Sequence, residues 1–227
     1  MQDNTSRPLF LVAMTRKERY KTIIDYFLER QPVTTTELTW QSEFQLLVAV
    51  VLSAQCTDKR VNMVTPALFG AYPDAASMSR AGESEVLEYV KSISYPNAKA
   101  RHLVQLSQKL VSDYGGTVPH DMDSLLSLPG VGRKTANVML AVAFRQAAMP
   151  VDTHVFRVSH RLGLVSKTAN TPLKVEQELV KHIPAEMLGD AHHWLLLHGR
   201  YICKSQKPAC DKCPFTSFCP KTLTIDH

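Results

Sequence analysis

The sequence has no long apolar run near its start. The longest there, Pro8 to Met14, covers seven residues, well short of the roughly twenty a membrane helix needs. No basic-then-apolar leader accompanies it. Both absences point away from membrane insertion and secretion, so the expected setting is the cytoplasm, where cysteines stay reduced. Cysteine is sparse, with five residues in 227, which argues against a disulfide-stapled scaffold. No run of alternating apolar and polar residues marks a strand, and no segment repeats at a fixed period. Residues 1–13 read as a poorly ordered tail, with Met14 as a second candidate start.

What is present is helical periodicity. Between Arg16 and Arg30, apolar residues fall at Tyr20, Ile23, Ile24, Phe27 and Leu28, one face of a helix that Pro32 is expected to stop. Phe44 to Leu52 is almost wholly apolar and reads as a buried central helix. Asp58 is expected to cap the next, and further helices are expected over Glu83 to Ile93 and Asn97 to Tyr114, the latter stopped by Gly115-Gly116. Asp121 to Leu128 and Asn137 to Phe144 flank a glycine-bearing turn. Val155 to Leu164, Leu173 to His182 and Ala191 to Ile202 complete an all-α reading. A net charge of +5 leans toward a polyanionic partner, although an ordinary basic enzyme carries a similar balance.

Four of the cysteines crowd together as Cys203, Cys210, Cys213 and Cys219, spaced C-x6-C-x2-C-x5-C. A zinc ion, an iron–sulfur cluster or two disulfides could account for them. Only Cys210 and Cys213 form the short knuckle common in zinc sites, and a [4Fe–4S] cube suits the uneven spacing better. The fifth, Cys56, reads as a buried core thiol. His192, His193 and His198 read as packing residues with no catalytic part.

Residues 128–136 read Leu-Pro-Gly-Val-Gly-Arg-Lys-Thr-Ala. Gly130 and Gly132 permit positive φ and close approach of another backbone. The turn's N–H groups and the helix behind it can face a phosphate, with Arg133 adding charge. A plain helix–helix connection would look similar. Lys134 lies in the first turn of that helix, beside Arg133, and is expected to be partly withdrawn from water. It could touch a phosphate, or as a neutral amine attack a sugar carbon. Asp152 precedes a helical pattern, where it can cap the helix, stabilise positive charge, or do both.

The stretch L-P-G-V-G-R-K-T-A, then V-D-T-H-V-F-R-V, then the four-cysteine loop resemble endonuclease III, a helix–hairpin–helix DNA glycosylase family of base-excision repair. L-S-A-Q-C-T-D at 52–58 and H-G-R-Y-I-C at 198–203 extend the likeness to about Thr15–Cys219. The resemblance implies a two-lobed fold: residues 1–35 as tail and helix on the cluster lobe, 36–147 as a six-helix barrel, and 148–227 as the cluster lobe, with DNA entering between the lobes. It implies a [4Fe–4S] cluster on Cys203, Cys210, Cys213 and Cys219, Lys134 as nucleophile and Asp152 as catalytic carboxylate. It further implies excision of oxidised pyrimidines by a Schiff base and β-elimination, on duplex DNA carrying damaged bases or abasic sites, by a nucleoid-associated monomer. Gln55 matches the residue that refills the stack. At the companion wedge the family has a Gly-Leu-Tyr-Asn-like stretch where this chain has Ser94-Tyr95-Pro96-Asn97, so Tyr95 is the expected stacking residue. Lys204 and Lys207, with Lys212 beside them, are expected to clamp phosphates. Mismatch glycosylases resemble the chain in fold and cluster but lack the lysine. They remain an alternative, as does a non-catalytic DNA-binding protein.

Overall fold

A computed structural model describes residues 13–30 and 35–220. The expected tail, apart from its last residue, and the Pro32 helix stop lie outside the described residues. Among these there is no strand, as the absence of alternation implies. The helices are α1 (Arg16–Arg30), α2 (Glu43–Ser53), α3 (Asp58–Ala71), α4 (Ala75–Met78), α5 (Glu83–Val90), α6 (Pro96–Tyr114), α7 (Met122–Leu126), α8 (Arg133–Val138), α9 (Thr153–Arg161), α10 (Pro172–His182) and α11 (Leu188–Tyr201). They fall into two compact units, one within residues 35–150 and one built from described parts of 1–34 and 151–227.

The first unit is organised around α2. Every residue from Leu46 to Leu52 is buried, which is what a helix apolar on all faces requires. Ser42 caps it by accepting a hydrogen bond from the Gln45 N–H at 3.3 Å. The core continues through Val61 and Leu68 of α3, Val86 and Val90 of α5, and Leu103, Leu106 and Leu110 of α6. The α6 helix ends on Gly115 at φ +60, and the Gly116 N–H returns to Leu110 O at 2.8 Å, the left-handed stop expected of Gly-Gly. Two boundaries differ from expectation. Thr57, not Asp58, caps α3, because its hydroxyl reaches the Arg60 N–H at 3.3 Å. The expected helix through Asn137–Phe144 is α8 continued by a π turn over Met139–Ala143, closed where the Phe144 N–H reaches Met139 O at 3.2 Å.

The second unit has an aromatic centre. Phe27 of α1 stacks on Trp194 of α11 at 5.5 Å and meets Phe215 edge-on at 5.6 Å. Phe215 lies between Cys213 and Cys219, so this contact anchors the cysteine loop to the helices. Gly199 of α11 lets α9 approach closely: a Cβ there would lie 2.9 Å from the His154 Cβ and 3.0 Å from Val158 Cγ2. That approach fixes the start of α9, where Asp152 sits.

Phe27→Ala is expected to destabilise the protein by about 3–5 kcal/mol, read as a lower denaturant midpoint. A loss below about 1 kcal/mol would show that the aromatic centre closes over the gap.

Candidate nucleic-acid interface and active-site residues

The turn between α7 and α8 is built by its own residues. Leu128 O accepts from the Val131 N–H at 3.1 Å, with Pro129 and Gly130 at the centre, the order a type II turn prefers. Gly130 has φ +78, and a Cβ there would lie 2.9 Å from the His102 Cβ, so glycine is required twice over. Gly132 departs from expectation. Its φ of −95 and ψ of 174 are extended backbone open to any residue, and a Cβ would meet nothing within 4 Å. It is the N-cap of α8 and offers no side chain to the first-turn N–H groups. These are among the donors a helix leaves without an intrahelical partner. The first turn of α8 also lacks an acidic residue and carries Arg133 and Lys134, both exposed. Cations at the positive end of a helix are unfavourable unless an anion joins them. Lys134 is therefore not withdrawn from water as the sequence suggested. It stands in solvent on a rigid turn.

Gln55 and Tyr95 occupy two other turns of the same unit. Both are exposed and both hold left-handed backbone, φ +54 and φ +55, a conformation that costs a non-glycine residue about 1–3 kcal/mol. Pro96 begins α6 directly behind Tyr95. The Ser94 hydroxyl donates to Gln55 O at 2.8 Å. Beneath them lies Lys99, 6% exposed, whose ammonium donates to Leu52 O at 2.8 Å and Ala54 O at 2.6 Å. Cys56 is half-buried against the core rather than fully inside it.

In the other unit Asp152 caps α9. Its Oδ1 accepts from the Val155 N–H at 2.8 Å, and its Oδ2 lies 3.1 Å from His154 Nδ1. Burial alone would raise its pKa, but hydrogen bonds from His154 and the Val155 N–H, with the charges of His192 and His154, outweigh it. The carboxyl is held well below the usual carboxylate range, ionised wherever DNA is native.

None of the four loop cysteines is in a disulfide, and the Cys219 thiol lies 3.1 Å from Arg161 O. His198 Nε2 lies 3.6 Å from Cys213 Sγ, and Arg161 Nη1 3.6 Å from Cys203 Sγ. Burial raises the Cys213 pKa, and the charges of Cys219 and Cys203 act in the same direction, which places the three within electrostatic reach. Among the described residues no three His, Cys, Asp or Glu side chains converge on a position for a single metal ion. His192, His193 and His198 are all buried on α11, and burial pushes the His198 pKa down to about 4. Lys204 and Lys207 are exposed, the latter at φ +48.

Three residues with structural weight were missed from sequence. Arg157 donates to Gly199 O at 2.9 Å and Cys203 O at 3.1 Å, and Arg161 to Lys204 O at 2.6 Å and Ser205 O at 3.0 Å. Together they pin the start of the cysteine loop to α9. Their i, i+4 spacing on the helix opened by Asp152, without an acid at the matching positions, was the available signal. The third, Lys99, is one charge on the apolar face of α6.

Residues 48–185 match the HhH-GPD superfamily of base excision DNA repair proteins. Endonuclease III of Rickettsia conorii is 48% identical over 197 residues, 87% of this chain and 93% of that protein. Endonuclease III of Escherichia coli strain K12 is 42% identical over 204 residues, 90% and 96% respectively. A solved endonuclease III trapped as a covalent intermediate with DNA superposes with a TM-score of 0.86 at 42% identity, covering 92% of this chain and 97% of that one. A thermostable thymine-DNA glycosylase shares the fold, with a TM-score of 0.80 at 23% identity over 91% of this chain and 96% of that one. The chain belongs to the endonuclease III family.

Because the Asp152 pKa is lowered in the folded state, its contribution to stability is fully present above the unfolded value of about 3.9. It is lost as pH falls from there toward the folded value. Asn caps helices about as well as Asp but carries no charge. Asp152→Asn is therefore expected to flatten the acid limb of a stability–pH curve below about pH 4, measured by chemical denaturation. An unchanged limb would mean that His154 and the Val155 N–H do not hold the charge.

Proposed function

We propose that this protein is a bifunctional DNA glycosylase and abasic-site lyase that removes oxidised pyrimidines from duplex DNA. The observation that carries the reading is the α8 turn. Arg133 and Lys134 share one exposed first turn that contains no acidic residue, behind an N-cap glycine that offers no side chain to the first-turn N–H groups. Cations at the positive end of a helix favour an anion beside them, and a duplex supplies one at every phosphate. The sequence-independence of such contacts suits a protein that scans DNA. Kinship with endonuclease III supports the chemistry.

The damaged nucleotide is extruded from the stack, a step made easier where the lesion is poorly stacked. Gln55 and Tyr95 fill the space it leaves. Lys134 attacks C1′ through its amine once the ammonium proton has passed to solvent, the glycosidic bond breaks, and the base departs with the bonding electrons and takes up a proton. The ionised Asp152 stabilises the positive charge that develops on the sugar and assists the proton transfers. The nitrogen lone pair then expels the ring oxygen, which takes up a proton as a hydroxyl, leaving an iminium between Lys134 Nζ and C1′. Removal of a C2′ proton then expels the 3′ phosphate, and water releases the nicked product and regenerates the amine.

The loop cysteines fit a [4Fe–4S] cluster. None of them is in a disulfide, and their uneven spacing, with one short knuckle only, suits a cube better than a zinc site. A cube takes one thiolate at each iron and leaves its ligands spread. Cys203, Cys210, Cys213 and Cys219 would hold it, and when bound it supplies a rigid covalent brace. Arg157 and Arg161 orient the loop against α9, and Lys204 and Lys207 present their charge to phosphates from it. We expect purified protein to be brown and to contain iron and sulfide; a colourless, zinc-loaded protein would overturn the assignment.

The direct test is borohydride trapping on a duplex with one thymine glycol. Wild type is expected to form a covalent adduct and Lys134→Gln none, while duplex affinity falls by less than about tenfold, since one phosphate-scale contact is small beside the total. Equal loss of binding and trapping would remove Lys134 as nucleophile. Failure of wild type on this duplex but success on a bare abasic site would reject the lesion class and leave the lyase.

A further inference from the structure

Lys99 is a buried cation whose mapped hydrogen bonds go to carbonyls. Its ammonium donates to Leu52 O and Ala54 O at 2.8 and 2.6 Å, the carbonyl end of α2. A lysine near a helix C-terminus is a common cap, and a cap alone would explain its presence. Its position says more. Ala54 is the last residue before Gln55, and Lys99 begins the second turn of α6, directly behind Tyr95. The Lys99 N–H closes the first turn of that helix on Tyr95 O at 3.1 Å. One residue thus reaches the Gln55 turn with its side chain and the Tyr95 turn with its backbone. Ser94 closes the circuit by donating to Gln55 O at 2.8 Å. Both turns hold left-handed non-glycine backbone, which persists only where the surroundings over-determine it.

We infer that Lys99 and Ser94 are positioning residues that lock the Gln55 and Tyr95 turns into a single rigid wedge for entry into the duplex. The inference rests on the glycosylase reading above and deepens it. Burial lowers the affinity of Lys99 for its proton, and the two carbonyls replace the water the ammonium gives up. A flexible wedge would have to be ordered during base extrusion. A wedge already in place avoids that loss when the lesion is still stacked. At a bare abasic site there is no base to unstack, so the lock matters less.

That asymmetry supplies the test. Single-turnover rates are measured with saturating protein on a thymine glycol duplex and on a duplex with a preformed abasic site, for wild type, Lys99→Met and Ser94→Ala. Lys99→Met removes the ammonium and keeps most of the volume. Ser94→Ala removes one hydroxyl from a half-buried site and is the deciding variant should Lys99→Met fail to fold. The inference expects base excision to fall about ten- to a hundredfold in both variants, with nicking of the abasic duplex within about twofold of wild type. Parallel loss on both substrates, or no loss on either, overturns it. A wild type that acts on neither duplex overturns the glycosylase reading itself, which keeps the two failures distinct.

Discussion

The carbonyl end of α2 is the constraint on which the first unit depends. A helix buried on all faces cannot turn its last carbonyls to water, and here each has another partner. Val50 O accepts from the Ser53 hydroxyl at 2.9 Å, Val51 O from the Ala54 N–H at 3.4 Å, and Leu52 O from Lys99. The chain leaves this end in a tight left-handed turn, which brings Gln55 to the surface. A residue exposed on a loop would ordinarily be mobile. This one stands on a satisfied helix end, so its side chain is presented by a rigid support.

Charge is divided in a way that suits chemistry on a polyanion. Cations occupy the first turn of α8, where an acid would be expected on stability grounds alone, and the exposed rim of the cysteine loop. The catalytic carboxylate of the proposed mechanism is kept apart from them in sequence and committed to its charge by His154 and the Val155 N–H. A carboxylate that faced the DNA backbone openly would repel it. Held by a cap and a histidine, Asp152 directs its negative charge to the Val155 N–H and His154. Capping fixes the direction of a carboxylate at a helix start, and the catalytic role proposed for Asp152 would use that same feature.

Much of this was legible in the sequence, because helices announce themselves by period. Tyr20, Ile23 and Phe27 on the face of α1 (though not Leu28, which is exposed), the all-round burial of α2, the Gly115 stop and the Asp152 cap all follow from local rules. What could not be read depends on backbone atoms brought together from afar. The partners of Lys99 are carbonyls 45 and 47 residues away, and carbonyls leave no trace in residue identity. The same holds for Arg157 and Arg161, which bind the backbone of residues 199–205. The π turn after α8 and the exposure of Lys134 were also hidden, since both are set by packing rather than by the residues of the turn.

The two glycines of the hairpin separate what a fold needs from what a ligand needs. Gly130 is explained entirely from within: its φ is positive and His102 fills the space where a Cβ would stand. Gly132 has neither reason: it is the N-cap of α8, a position where glycine is favoured over alanine, and a Cβ there would meet nothing within 4 Å. Its extended, uncrowded backbone leaves the positive end of the helix open to a partner outside the chain. Such a partner would be anionic and slim enough to approach the backbone there. A phosphate diester meets both conditions, since it is anionic and its oxygens project far enough to reach main-chain N–H groups that a side chain would screen.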